Sequence, residues 1–392
     1  MTVIAESRIT SVVRAAEAVL SHRAGAAVSL ADPEDLGGSG RTSVIRARVV
    51  RNPLSMDRTL VIKALPEDED PHAFHRELAS YKYATALPTE SRPGPQLIAS
   101  DPEARVLVLS DLGHGRSMTA LLSGPDITET SHAVSAWGQA LGRMHAATVG
   151  GDADFRALLR LGSVAADGMD ILRESAERSI DGAPSVLADL GVELTDPVAD
   201  ALRAACGLFT DGEHRAFSPS DVGPENILLN DVGVRFMDYE WGGFRDATLD
   251  VAYAVVTFGA RLSTANIAHR VDLEVALVDA WRSEVYPIWP ILGHDRDLGR
   301  KVLIARLLWV WLSTVWMLPA DGDGAGQFAD DSETVVAVPA GYTHDWALHT
   351  NDPRVIVSRW SDLAAAAVRA SNTDIADFAT SVGIALQRDW LS

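Results

Sequence analysis

Apolar residues recur at helical spacing near the start of the chain (Ile9, Val12, Val13, Ala16, Val19, Leu20), which predicts a helix over residues 7–22. The pattern then shortens to apolar runs of strand length at 27–31, 42–50, 59–64 and 105–109. Between the last two, Asp70 can cap a helix that has Pro71 at its first position and Phe74, Leu78 and Tyr81 on its apolar face. Beyond Gly115 the helical period dominates. Helices are expected over 131–147, 152–161, 196–209, 271–285 and 298–317, with a β-rich break over 226–239. The stretch 320–339 is acidic, rich in Gly and Asp, and reads as a mobile loop. The chain is therefore of α+β class. A small β-rich N-terminal lobe is expected over residues 1–110 and a large, mostly helical C-terminal lobe over 111–392.

Composition narrows the setting. A chain of 392 residues exceeds one compact core, and 47% hydrophobic with 22% charged residues is an ordinary globular balance. The single cysteine, Cys206, cannot form an internal disulfide, so no oxidising compartment is implied. No signal-peptide core stands at the N-terminus, and the apolar run 302–319 is broken by Arg306, Ser313 and Thr314. The expected setting is cytoplasmic, with no membrane span. A net charge of −20 repels phosphate backbones and argues against a nucleic-acid partner. It would suit a cationic small molecule, and an acidic surface kept for solubility explains it equally well.

Three features carry candidate chemistry. Gly37, Gly38, Ser39 and Gly40 lie before a strand, where a P-loop or dinucleotide loop would open a helix. Such glycines can fold backbone N–H groups over phosphates, or simply turn a hairpin. Lys63 interrupts an otherwise apolar strand, and a lysine is costly to bury unless paired. Glu77, next to Leu78 on the inward face of the following helix, is the expected partner. The third feature is the most specific. Asp221 and Asn226 stand five apart on a loop punctuated by Pro219, Gly223 and Pro224, and a strand, a hairpin turn (Asn230 to Gly233) and a second strand lead to Asp238. A carboxylate to take a hydroxyl proton and hard oxygens to hold Mg2+ are what phosphoryl transfer requires.

The ordered set resembles the aminoglycoside phosphotransferase and choline kinase superfamily. The segment from Met237 to Ala252 is similar to that family's metal-binding block, and residues 141–146 (Leu-Gly-Arg-Met-His-Ala) to its helix ending in Leu-His-Ala. The segment Val106 to Gly113, with Ser110, Asp111 and Leu112, resembles the stretch whose backbone holds adenine. The resemblance runs from about Leu36 to Ala252. It implies a bilobal protein-kinase-like fold with one regulatory-type helix in the small lobe, and ATP and Mg2+ as cofactors. Asp221 would be the catalytic base, Asn226 and Asp238 the metal ligands, and Lys63 with Glu77 the phosphate clamp. Asp250 would anchor the loop and His145 would be a packed structural residue. The acceptor would be a small-molecule hydroxyl, on an aminoglycoside-, choline- or sugar-like compound. In one respect the chain departs from the pattern: Pro219-Ser220 stands where the family has His-Gly before the catalytic Asp. That change keeps a non-catalytic, pseudokinase-like binding module as the alternative. Aromatics such as Trp281, Trp309, Trp316, Trp346 and Trp360 could line an amine site, but their spacing suits core packing better.

Overall fold

The apolar stripe of α1 (Thr2–Ala24) buries Val12, Ala16 and Leu20 in one cluster with inward residues of the following strands, among them Ile45, Leu60, Ile62 and Val108. Those strands are β1 (Ser29–Gly37), β2 (Ser43–Arg51) and β3 (Thr59–Ala64); after α2 (Pro71–Thr85) come β4 (Leu97–Asp101) and β5 (Val106–Ser110). They form an antiparallel sheet in the order β1-β2-β3-β5-β4. The computed structural model describes residues 2–38, 42–51, 58–66, 71–162, 170–318 and 346–391. Asp70, Ser39, Gly40 and the stretch 320–339 thus lie outside the described residues.

The sequence expectation ended the first helix two residues early and missed β4. A short apolar run, Leu97 to Ala99, behind Pro93 and Pro95 gives little strand signal by itself. Its pairing with β5 supplies the hydrogen bonds that the local sequence does not specify.

The chain divides into two compact units. The first comprises Met1–Gly115, Ala153–Gly168 and Arg235–Gly242, and the second the remainder. After β5 the chain continues with β6 (Arg116–Ser117), α3 (Met118–Ser123), α4 (Ile127–Thr148), α5 (Asp152–Leu161), which falls almost wholly in the first unit, α6 (Ile171–Asp181), α7 (Ala183–Leu190) and α8 (Asp196–Gly207). Short strands β7 (Arg215–Ser218), β8 (Ile227–Asn230), β9 (Gly233–Phe236) and β10 (Gly243–Asp246) precede α9 (Thr248–Phe258), α10 (Arg270–Val285), α11 (Asp295–Val315), α12 (Pro353–Arg369) and α13 (Thr373–Trp390). Among the described residues no helix is long and apolar enough to cross a membrane. The apolar run in α11 is buried core.

Every residue of α9 is buried, which removes the polar face that would mark it as a helix in sequence. The long helices α4 and α10 approach through two glycines. A Cβ on Gly138 would meet the Leu277 carbonyl oxygen at 2.3 Å, and one on Gly142 the Trp281 carbonyl oxygen at 2.8 Å. Gly138→Ala adds helix propensity worth about 1 kcal/mol. Overpacking against rigid backbone costs about 1–3 kcal/mol and should prevail. Denaturant unfolding is therefore expected to show a lower midpoint for Gly138→Ala, and a raised midpoint would mean the helices separate at no cost.

Candidate functional site

Lys63 sits on β3 with its ammonium nearly removed from water. Its Nζ lies 2.7 Å from Glu77 Oε1 on α2, 3.0 Å from Asp238 Oδ2 and 3.6 Å from Glu240 Oε2. Asp238, 175 positions further along the chain, accepts hydrogen bonds from Lys63 on both carboxylate oxygens. Burial would lower the lysine's pKa, but Asp238, Glu77 and Glu240 outweigh it and hold the ammonium well above its ordinary value. Three acids therefore share one cation. The surplus shows on the most deeply buried of them. Glu77 is pushed up to about 8, chiefly by burial, with Lys63 opposing and Asp238 and Glu240 adding to the rise. Tyr81 from α2 donates to the Met237 carbonyl at 3.3 Å and packs on Tyr239, with ring centres 5.3 Å apart. These contacts fix the backbone on either side of Asp238.

The same unit holds the other expected nucleotide residues. Gly37 and Gly38 have φ of 90° and 150°. A Cβ on Gly38 would meet the Thr42 carbonyl oxygen at 2.2 Å, so the turn between β1 and β2 needs a glycine there. Ser110 closes β5, its N–H donating to the Gln96 carbonyl and its Oγ accepting from Gln96 N, both at 2.9 Å. Asp111 forms a two-pronged pair with Arg46 of β2, at 2.9 and 3.3 Å, and accepts from Gly113 N at 2.9 Å. Burial would raise its carboxyl, but Thr59, Gly113 and Arg46 hold it below the usual carboxylate range. Leu112 follows, half-buried.

The second unit holds the Asp221 loop. Asn226, in the single turn Pro224–Asn226 before β8, donates through Nδ2 to Asp221 Oδ2 at 2.8 Å and to the Asp221 carbonyl at 3.1 Å. Its Oδ1 makes no hydrogen bond among the described residues, which leaves one hard oxygen available. The other Asp221 oxygen accepts from Tyr253 of α9 at 2.6 Å, and burial with the Asp221 charge raises the Tyr253 phenol well above its ordinary value. Tyr253 Oη in turn accepts from Leu348 N at 3.1 Å. Gly223 is packed so closely that a Cβ there would lie 2.0 Å from the Ala347 methyl.

Behind the loop runs a buried chain of hydrogen bonds. Asp250 Oδ1 accepts from Ser218 Oγ at 2.6 Å, and Ser218 Oγ accepts from Ser220 N at 3.1 Å. Asp250 Oδ2 bonds His145 Nε2 at 3.0 Å, while Trp281 donates to His145 Nδ1 at 2.9 Å. Because Trp281 can only donate, His145 carries its proton on Nε2 and gives it to Asp250. His145 is wholly buried, the place of a structural histidine. Asp246, at the end of β10, accepts from His214 N, Thr248 N and Thr248 Oγ1.

Ser220 is the unusual member. It is buried at φ 77°, in the left-handed region that favours glycine. Its Oγ accepts from Arg245, whose guanidinium also reaches Asp170 at 3.3 Å and lies over the Phe209 ring. The position where the resembled family carries glycine thus keeps a glycine-like backbone, and an arginine contact holds the serine in it. Sequence reasoning missed Arg245, Tyr253, Ser218 and the third acid Glu240. Only the alternation of small hydroxyls at Ser218 and Ser220 gave any sign in the sequence. The tryptophans of α10 to α12 are core residues. Trp309 donates to the Leu249 carbonyl, Trp311 to that of Ser179, and Trp360 to Thr314 Oγ1.

No family model matches the sequence, and no curated protein resembles it in sequence. Similar solved structures do exist. They include a choline/ethanolamine kinase family protein from Mesorhizobium loti (17% identity over 95% of this chain and 99% of that chain, TM-score 0.47). A choline kinase from Cryptosporidium parvum aligns at 11% identity over 91% of this chain and 93% of that one, with TM-score 0.46. An aminoglycoside 2'-phosphotransferase in complex with GDP aligns at 13% over 76% and 90%, with TM-score 0.41. The similar solved structures are small-molecule kinases. At these identities and scores the chain's own residues carry the functional argument.

Two measurements test this geometry. The Asp246 carboxyl lies at about 2, below its ordinary 3.8, since its hydrogen bonds with His214 and Thr248 overcome the opposing effect of burial. The unfolded chain then binds the extra proton first, so this contribution is complete above 3.8 and lost as pH falls through about 2. The wild type should lose roughly 2 kcal/mol more than Asp246→Asn across that window, read from denaturant midpoints; parallel curves would refute the assignment. For Ser220, alanine keeps the backbone strain and removes the hydroxyl, whereas glycine removes both. Ser220→Ala should cost about 2–3 kcal/mol and Ser220→Gly about 1 kcal/mol less than that. The reverse order in thermal unfolding would show that the backbone is not strained.

Proposed function

We propose that the chain is a Mg2+- and ATP-dependent phosphotransferase that moves the γ-phosphate to a hydroxyl of a small molecule. The observation that carries this reading is the buried Lys63 bound at once by Glu77 and Asp238. A core gains nothing from a lysine and three acids drawn from distant parts of the chain. A nucleotide site does. In this reading Lys63, fixed by Glu77, binds the α- and β-phosphates. Gly37, Gly38, Ser39 and Gly40 present backbone N–H groups to them, and the backbone of Ser110, Asp111 and Leu112 takes the adenine.

The donor set suits the metal. The acid surplus around Lys63 calls for positive charge, and Asn226 keeps a carbonyl oxygen unbonded. Among the described residues no three His, Cys, Asp or Glu side chains form a metal cage by themselves. Mg2+ is ordinarily held by one or two carboxylates together with substrate phosphates, so a full protein cage is not needed. Asp238 and Asn226 would be its protein ligands, and the bound ion would neutralise phosphate charge. Asp221 orients the acceptor hydroxyl and takes its proton, with Tyr253 and Asn226 fixing the carboxylate plane. A net charge of −20 favours a cationic acceptor, such as an amino alcohol or aminoglycoside.

A second reading, a nucleotide-binding module without turnover, draws support from one observation. Both Asp221 oxygens already accept hydrogen bonds from within the chain. Titration of ATP with and without Mg2+, followed by ADP release on a panel of hydroxyl acceptors, separates the two. Mg2+-dependent binding with acceptor-stimulated ADP release is expected. Asp221→Ala should then lower turnover by about a thousandfold or more while ATP affinity stays within about threefold. Loss of ATP binding in that variant, with the fold intact, would contradict the role given to Asp221.

A further inference from the structure

The helices α10, α11 and α12 border a cavity of about 780 Å³ that shares no lining residue with the Asp221 loop. That volume is within the range of small-molecule sites. Much of its wall is apolar, formed by Val255, Val278, Leu298, Val302 and Leu303. Its buried polar groups are Glu274 and Arg306, each with a side chain 7% exposed. Arg306 grips Glu274 through Nη1 at 2.9 Å and Nη2 at 3.4 Å, and its Nε is buried with no hydrogen-bond partner. Arg369 reaches the same carboxylate at 3.3 Å and Arg270 at 3.8 Å, and Arg270 also pairs with Asp362. Three guanidinium groups therefore face two carboxylates. One positive charge is left over around Glu274, in a chain whose net charge is −20. The remaining acids of the lining, Asp279 and Asp295, have side chains 51% and 90% exposed and pair with Arg282.

A further feature keeps the space open. Gly299 lines the cavity within α11, and a Cβ there would meet no heavy atom within 4 Å. Glycine inside a helix costs about 1 kcal/mol relative to alanine, and no neighbour demands it here. Surplus positive charge beside an apolar wall describes a receptor for an amphipathic anion.

We propose that this cavity binds a small carboxylate with an apolar body. The carboxylate pairs with Arg369, and the apolar part lies along α11. The site is separate from the phosphotransfer chemistry and does not depend on it.

Isothermal titration of the full chain with octanoate, and separately with 1-octanol, tests the proposal. Octanoate should bind saturably and at least about tenfold more tightly than octanol, the worth of a charge-assisted hydrogen bond. Arg369→Ala should weaken octanoate by about tenfold. Gly299→Leu puts a side chain into the open space beside Gly299, so it should abolish binding while its thermal midpoint stays equal or rises. No octanoate heat at millimolar concentration would leave a merely hydrated void and overturn the proposal. Equal affinity for octanol would remove the guanidinium recognition, and unchanged binding in Gly299→Leu would place the ligand elsewhere; either result also overturns it.

Discussion

A carboxylate sealed away from water must have its oxygens satisfied by the protein, and Asp250 meets that demand in a way that organises the helical unit. One oxygen draws in His145, which the Trp281 indole holds in a single tautomer across the close α4–α10 contact. The other takes Ser218, and Ser218 takes the backbone of Ser220 just before Asp221. The position of the candidate base is thus set by helix packing some distance behind it. The link is short-range throughout, one hydrogen bond after another.

The first unit is organised by the opposite imbalance. At Lys63 there is more acid than base, and Glu77 rises to about 8 chiefly through burial, with Asp238 and Glu240 adding to the rise and Lys63 opposing it. A polar cluster with such a surplus is a poor stabiliser by itself. Its composition makes sense when it serves to receive charge, and the separate cavity on α10 to α12 carries a surplus of the other sign.

Much of this was legible in the sequence. The strand β3 and the helix α5 fall on the expected residues, because each shows a clean period and clear ends. Lys63, Glu77, Asp221, Asn226 and Asp238 stood out as polar residues in places where polarity is expensive or regular structure is forbidden. The helices α12 and α13 were not read, although Asp352 with Pro353 and Asn372 give sound start signals. The helix α9 hid behind uniform burial. Arg245 and Tyr253 were beyond reach for another reason: their roles depend on partners 25 and 32 positions away, which no local pattern announces.

The first unit is assembled from three stretches of chain, the last of which is Arg235–Gly242. A chain made from its N-terminus presents β3 and α2 long before Asp238 exists. During that interval Lys63 has Glu77 as its carboxylate and lacks the partner 175 residues downstream. The acid surplus around Lys63 therefore arises only once more than half of the polypeptide has been synthesised. Biogenesis of this protein is constrained by order: its earliest-made unit is closed only when Arg235–Gly242 has been made.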